Sequence, residues 1–320
     1  PSNHYRTVAQ TLREEGYRTI AAIPFKKFFW NRHVTFPAYG YSNNLFKDDF
    51  APGERIGWGL NDRDFLQQML QRLGRIPEPF CAWLLPLALH HPYSSFPQQH
   101  RTLDLGSYEG SSYGNYLHGM NFADRAFAAF FQELTTSVLG TRTVIVLWGD
   151  HGAGLRRRDF PENAAIALDS NLDQFLGNRI PVAIWVPGRE LQAQQFDMQA
   201  GQIDFPPTLL ALLGVDPQPL AFLGRNLLNS PRPKPIVHPR GNWLSEDLGY
   251  LSKGRSFEDG VCFQVTSRQR LPVERCRNSN NQAQREIEIS SRILTYDLQD
   301  EISKQLAVRL SVLKIGLQPL

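Results

Sequence analysis

Apolar residues along the chain fall into short continuous runs and longer runs at helical spacing, and the two kinds alternate. Val144 to Trp148 is unbroken, mostly β-branched or large, which predicts a strand buried on both faces of a parallel sheet. Tyr17 to Ile23, Phe80 to Leu89 and Arg179 to Pro187 predict further strands. Helical spacing marks residues 5–16, stopped by Gly16, and Asn61 to Leu73, with early acids and apolar positions at Phe65, Leu66, Met69, Leu70 and Leu73. A long amphipathic helix is predicted over Tyr113 to Thr136, with His118 structural or exposed upon it. Gln202 to Gly214 predicts a helix that Asp204 caps and prolines open. Residues 95–112 read as a surface loop, and Arg156 to Asn178 as a long polar loop covering a site. Alternating helix and strand signals predict an α/β fold. From Pro231 the composition shifts to a linker. A small strand-rich unit follows, with strands at Val261 to Val265 and Ile293 to Leu298 and a last helix over Glu301 to Leu313.

Three predicted strands end in polar groups, where open α/β sheets place their ligands. The first is followed by Phe28-Phe29-Trp30-Asn31-Arg32-His33. There Arg32 offers a bidentate fork for phosphate and Trp30 an apolar wall; the plainer reading is an aromatic cover with Arg32 in solvent. The second ends in His90-His91-Pro92-Tyr93, and a lone His there is commonly a hydrogen-bonded loop residue. The central strand runs into Gly149-Asp150-His151-Gly152. Asp150 and His151 are suitable ligands for a divalent cation, or else a simple turn.

Composition narrows the function classes. A net charge of +3 and the absence of a nucleic-acid motif argue against nucleic acid as partner. Arg156-Arg157-Arg158 reads as a solvated loop. No run of about 18 apolar residues is present to cross a bilayer. The opening Pro1-Ser2-Asn3 lacks a signal peptide and an initiating Met, so a longer natural protein is expected. Cys81 reads as a core residue, whereas Cys262 and Cys276 pair if the compartment is oxidising.

In combination and order, six stretches resemble the lipoteichoic acid synthase and phosphoglycerol transferase branch of the sulfatase, or alkaline-phosphatase-like, superfamily. They are Leu12-Arg-Glu-Glu-Gly-Tyr-Arg-Thr19, Phe29-Trp-Asn-Arg32, Gly59-Leu-Asn-Asp-Arg-Asp-Phe65, Leu89-His-His-Pro-Tyr93, Trp148-Gly-Asp-His-Gly152 and Gly201-Gln-Ile-Asp-Phe-Pro-Pro-Thr-Leu-Leu210. The resemblance covers roughly residues 5 to 230 and implies a mostly parallel sheet sandwiched by helices over residues 1–230, lacking an N-terminal strand and the nucleophile; the small α+β unit over 231–320 is read from the composition shift alone. It implies an enzyme that transfers a phospho-alcohol from a phospholipid, or another anionic ester substrate, to a glycan or lipid acceptor through a covalent phospho-threonine. Asp150 and His151 would bind a divalent metal, Mn or Zn with Mg or Ca as further candidates. Trp30 and Arg32 would hold the phosphate, and His90 would contact the phosphoryl or alkoxide oxygen. The implied place is extracytoplasmic, on the periplasmic face of the bacterial inner membrane, with a membrane tether upstream.

Two departures qualify this. The family's other carboxylate ligand and nucleophilic Thr lie upstream of the first matching stretch, and residues 1–11 supply neither, so the segment alone is expected to be inactive. Ile23, Phe25 and Leu155 stand where the family has polar glycerol contacts, which points to another group, such as phosphoethanolamine, a sulfate ester or a larger phospho-alcohol. The alternatives are a sulfatase or phosphodiesterase, and a catalytically dead binding module.

Overall fold

The structure, a computed structural model, describes residues 3–160, 175, 179–189, 194–229 and 234–315. The chain divides into two compact units. One comprises Gly16–Pro37 and Tyr41–Gln195, the other Pro1–Glu15, Ala38–Gly40 and Phe196–Leu320. The fold is α/β, with helices around a parallel sheet and a strand-rich antiparallel sheet toward the C-terminus.

In the Gly16–Gln195 unit, strand β1 (Arg18–Ala22) lies between β2 (Asn43–Leu45) and β5 (Phe80–Leu84), parallel to both. Side chains alternate across β1 because successive Cβ atoms point to opposite faces. Ile20 and Ala22 join a core with Phe65, Leu66 and Met69 of helix α3 (Asp62–Leu73) and Phe130 and Leu134 of helix α4 (Ser112–Thr136). Each large side chain buried there contributes about 1.5–3 kcal/mol. Ala21 and Ile23 face the other way, onto Phe36, Phe46 and Leu87. A short hairpin, β3 (Arg55–Ile56) and β4 (Gly59–Leu60), leads into α3, whose N-cap Asn61 accepts from the Asp64 N–H at 3.0 Å.

Several expectations change. β6 (Ile145–Trp148) pairs antiparallel with β7 (Val182–Trp185), and both strands retain solvent exposure, so β6 is not the doubly buried parallel strand its apolar run suggested. An apolar run reports hydrophobicity, not partner direction. The strand at Phe80 stops at Leu84 instead of Leu89. Pro86 has no N–H for a ladder, and the next two N–H groups are taken by a side chain. Ile293 to Leu298 is not a strand: it lies across the end of the helix Arg277–Thr295 and the turn behind it. Short β-branched runs do not distinguish strand from helix when tertiary packing decides. Most of the proposed Arg156–Asn178 cover and the linker's start at Pro231 lie outside the described residues.

In the other unit, five antiparallel strands take the order β12-β11-β10-β9-β8: β8 (Ile236–Val237), β9 (Trp243–Leu244), β10 (Leu248–Leu251), β11 (Val261–Gln264) and β12 (Arg270–Leu271). Trp243 and Tyr250 pack with a Cys262–Cys276 disulfide in its core. Asp204 accepts from the Gly201 N–H at 3.0 Å and the Arg225 N–H at 2.8 Å. It therefore caps the 3-10 turn Gln202–Asp204 before the helix Phe205–Leu212, and holds a neighbouring loop as well.

The disulfide closes a loop with a sequence separation of 14. Opening it with Cys262→Ser/Cys276→Ser should destabilise this unit by roughly 3 kcal/mol. Thermal unfolding beside the reduced wild type measures the effect, and an unchanged transition in both would contradict it.

Candidate active site

β1 and β5 are parallel and in register from Arg18–Phe80 to Ala22–Leu84, so the segments leaving them emerge at one sheet edge. After β1, a 3-10 turn (Phe29–Asn31) leads into helix α2 (Arg32–Ala38). Trp30 and Asn31 both have φ of 52°, a left-handed conformation uncommon for residues other than glycine. Trp30 is left 72% exposed, whereas Arg32 is only 9% exposed. The guanidinium carbon of Arg32 lies 5.2 Å from the Trp30 ring centre and 5.4 Å from that of Phe29. Burial pushes the Arg32 pKa down, and the Asp150 carboxylate opposes that shift.

The segment after β5 is held from two sides. Asp62, 1% exposed at the start of α3, accepts the Leu87 and Ala88 N–H groups on one oxygen, at 3.0 and 2.9 Å. Burial raises its pKa to about 6 despite those bonds. From the hairpin, the Trp58 N–H donates to the Leu87 carbonyl at 3.4 Å. Gly57, at φ +64°, approaches that carbonyl so closely that a Cβ would sit 2.3 Å from it. The Trp58 ring lies against His90, centre to centre 3.6 Å. The His90 Nδ1 is 2.9 Å from the His91 carbonyl, so Nδ1 donates and the lone pair of the neutral ring rests on Nε2. Burial lowers the His90 pKa; His91 and His151 add to this, against the backbone bond and Asp150.

Beyond β6, Asp150 and His151 are side by side and mostly exposed, with Oδ2 3.7 Å from Nε2. The His151 Nδ1 lies 2.8 Å from the Gly152 carbonyl, which leaves Nε2 as the ligating nitrogen. The Tyr93 hydroxyl donates to the Ala153 carbonyl at 3.3 Å, joining the segments after β5 and β6. Burial raises the Tyr93 pKa to about 12, with smaller contributions from Tyr116, Asp150 and Asp159. Asp150 thus acts electrostatically on Arg32, His90 and Tyr93. The five residues singled out in the sequence come from three strand ends; ring contacts from Trp30 to Phe29, Trp58 and His90 link the first two, and the Tyr93–Ala153 hydrogen bond ties the second to the segment bearing Asp150 and His151. Zinc commonly takes four ligands. Asp150 and His151 are suited to a cation in type, but among the described residues no group of three His, Cys, Asp or Glu is placed to hold one.

Ile23 is fully buried, and Phe25 packs edge-on against Phe29 at 5.1 Å, so two of the positions expected to be polar build an apolar wall. Phe25 and Trp58 also line a cavity of about 320 Å³ with Lys26, Lys47 and Arg55. Sequence reading missed Trp58 and gave Asp62 only a helix-start role; an acid at a helix start carries no sign that its carboxylate will hold a distant strand end. His118 is fully buried, its Nε2 3.1 Å from Glu109, so it is structural.

The sulfatase family model matches residues 1–215. The chain belongs to the sulfatase family. This sulfatase-family chain is 27% identical to the lipoteichoic acid synthase-like protein YvgJ of Bacillus subtilis, over 93% of its own length and 48% of the relative's. It is 24% identical to lipoteichoic acid synthase 1 of the same organism, over 92% and 46%. It spans about half the length of the curated relatives it matches. The crystal structure of the lipoteichoic acid synthase LtaP from Listeria monocytogenes superposes with a TM-score of 0.76 at 21% identity, covering 92% of this chain and 73% of that one. An alkaline-phosphatase-superfamily protein from Vibrio parahaemolyticus gives 0.72 at 21% identity, over 93% and 70%. These two likenesses establish the fold.

The Asp62 clamp yields a prediction with opposite signs for two variants. Asp62→Ala leaves two N–H groups unpaired and should cost about 1–3 kcal/mol for each. Asp62→Asn keeps an acceptor oxygen and avoids the buried charge. A carboxyl whose pKa is raised by folding favours the native state below its unfolded pKa, and that advantage is lost as pH rises to about 6. Asp62→Asn should therefore match or exceed wild-type stability above pH 6 and lose that edge below pH 4, measured by urea unfolding across pH. An Asn variant as unstable as the Ala variant at every pH would contradict the clamp.

Proposed function

We propose that, within the complete protein, this chain provides the phosphate-handling part of a phosphotransferase. The enzyme moves a phospho-alcohol, phosphoglycerol or a related group, from a phospholipid donor to a glycan or lipid acceptor through a phospho-threonine. The observation that carries this reading is geometric: Arg32 and His90 follow the parallel strands β1 and β5 and are bridged by the rings of Trp30, Phe29 and Trp58, while the Tyr93 hydroxyl ties the segment after β5 to the one bearing Asp150 and His151. Arg32 clamps the phosphoryl oxygens with its planar fork, and Trp30 closes one side with an apolar wall. Neutral His90, its lone pair on Nε2, takes the proton of the acceptor hydroxyl as that oxygen bonds to phosphorus and the bond from phosphorus to the threonine oxygen breaks, the released threonine regaining a proton from solvent. Asp150 and His151 contribute two ligands to a divalent metal, Mn or Zn. Such an ion, when bound, neutralises charge on the transferring group.

The wall of Phe25, Phe29 and Trp58 supports an alcohol with fewer polar contacts than glycerol, so phosphatidylethanolamine is an informative donor beside phosphatidylglycerol. An extracytoplasmic location accords with the Cys262–Cys276 disulfide, since such bonds persist in oxidising compartments. No helix among the described residues is long and apolar enough to cross a membrane, and the tether is proposed to lie elsewhere in the complete protein.

In the complete protein, Asp150→Ala and His151→Ala should abolish transfer from labelled phospholipid and weaken Mn or Zn binding. Arg32→Lys should lose about 100-fold or more. Full turnover by these variants would refute the assignment, and release of free phospho-alcohol without transfer would make the enzyme a hydrolase.

Because burial lowers the His90 pKa, its protonation should give an acid limb displaced downward from the ordinary histidine value. A pH–rate profile with that limb at or above pH 7 would remove His90 from the proton transfer.

A further inference from the structure

Between Gly16 and Lys47 the chain carries Arg18, Lys26, Lys27, Arg32 and Lys47 and no acidic residue. At the tip of this stretch three apolar side chains stand in solvent: Phe28 at 65%, Trp30 at 72% and Val34 at 43% exposure. Lys26, Lys27 and His33 are exposed among them. The Lys27 ammonium lies 5.1 Å from the Phe28 ring centre, and the Phe28 ring meets His33 edge-on at 4.9 Å. The consecutive left-handed residues Trp30 and Asn31 form the turn of this lip. The first acids beyond it are Asp48 and Asp49, and the Asp49 carboxylate is engaged by the Phe46 N–H at 2.8 Å.

The mixture selects among partners. Cores of protein–protein interfaces are depleted in Lys. Aromatic and aliphatic side chains interleaved with Lys suit an anionic lipid surface, where rings enter the headgroup–acyl boundary and ammonium groups stay with phosphates. We propose that the Lys26–Val34 lip docks on the surface of an anionic phospholipid bilayer, inserting Phe28 and Val34 and placing Lys26 and Lys27 on lipid phosphates, with Trp30 at the interface beside Arg32. Arg32, the largely buried residue behind the tip, then lies at headgroup depth. The docking stands on exposure and charge rather than on the catalytic reading, because vesicle binding is read without turnover.

The test is flotation of the full 320-residue chain with vesicles of phosphatidylcholine alone or with about one-third phosphatidylglycerol, at low and high salt. The chain should float with the anionic vesicles, release as salt rises and ignore neutral ones. Lys26→Glu/Lys27→Glu should weaken flotation by at least about fivefold per charge. Phe28→Ser/Val34→Ser should weaken it at unchanged net charge, and circular dichroism should match the wild type because these side chains are exposed. Equal flotation of wild type and both variants, or none by wild type, would overturn the proposal. Soluble polyphosphate that displaces the chain, with the Phe28/Val34 variant still floating normally, would make the lip a simple anion site and overturn it too.

Discussion

Parallel, in-register pairing of β1 with β5 is the constraint on which the site depends. Parallel neighbours send their C-terminal ends to one edge, so residues far apart in sequence leave the sheet together. Alternation along β1 secures that edge. Ile20 and Ala22 are committed to one core and Ala21 and Ile23 to the other, so a slip of one residue would place each pair in the wrong environment. The backbone leaving Ile23 and Leu84 is thereby fixed, and Arg32 and His90 inherit their positions from it.

Beyond Leu84 the chain has left the ladder, and buried N–H groups there need other partners. Asp62 supplies them from α3, and the hairpin adds Trp58 and Gly57. The arrangement carries the desolvation of a buried carboxylate, visible in its raised pKa. In return, the segment bearing His90 is tied to an element whose core residues are almost completely buried. His90 thus stands on a positioned backbone although it lies outside regular structure.

Much of this was legible in the sequence. Apolar periodicity located α3, α4 and β1, and two of the predicted polar strand ends, those after β1 and β5, leave parallel neighbours at one sheet edge. What was not legible depended on partners distant in sequence. The apolar content of β6 carried no information that β7 would pair antiparallel to it. Ile293 and its neighbours have the composition of a strand but finish a helix. Trp58 lies in a two-residue turn between very short strands, and only the fold brings its ring to His90.

The remaining question is whether the charges at the three strand ends sense one another in solution. Asp150 raises the His90 pKa across the gap between the segments after β5 and β6. Titration of the His90 imidazole by NMR, in wild type and Asp150→Asn, measures that coupling directly. Convergence predicts a lower His90 pKa in the variant, because the carboxylate favouring the protonated ring has lost its charge. An unchanged value would mean that the two loops do not share a site, and the account built on their meeting would fail.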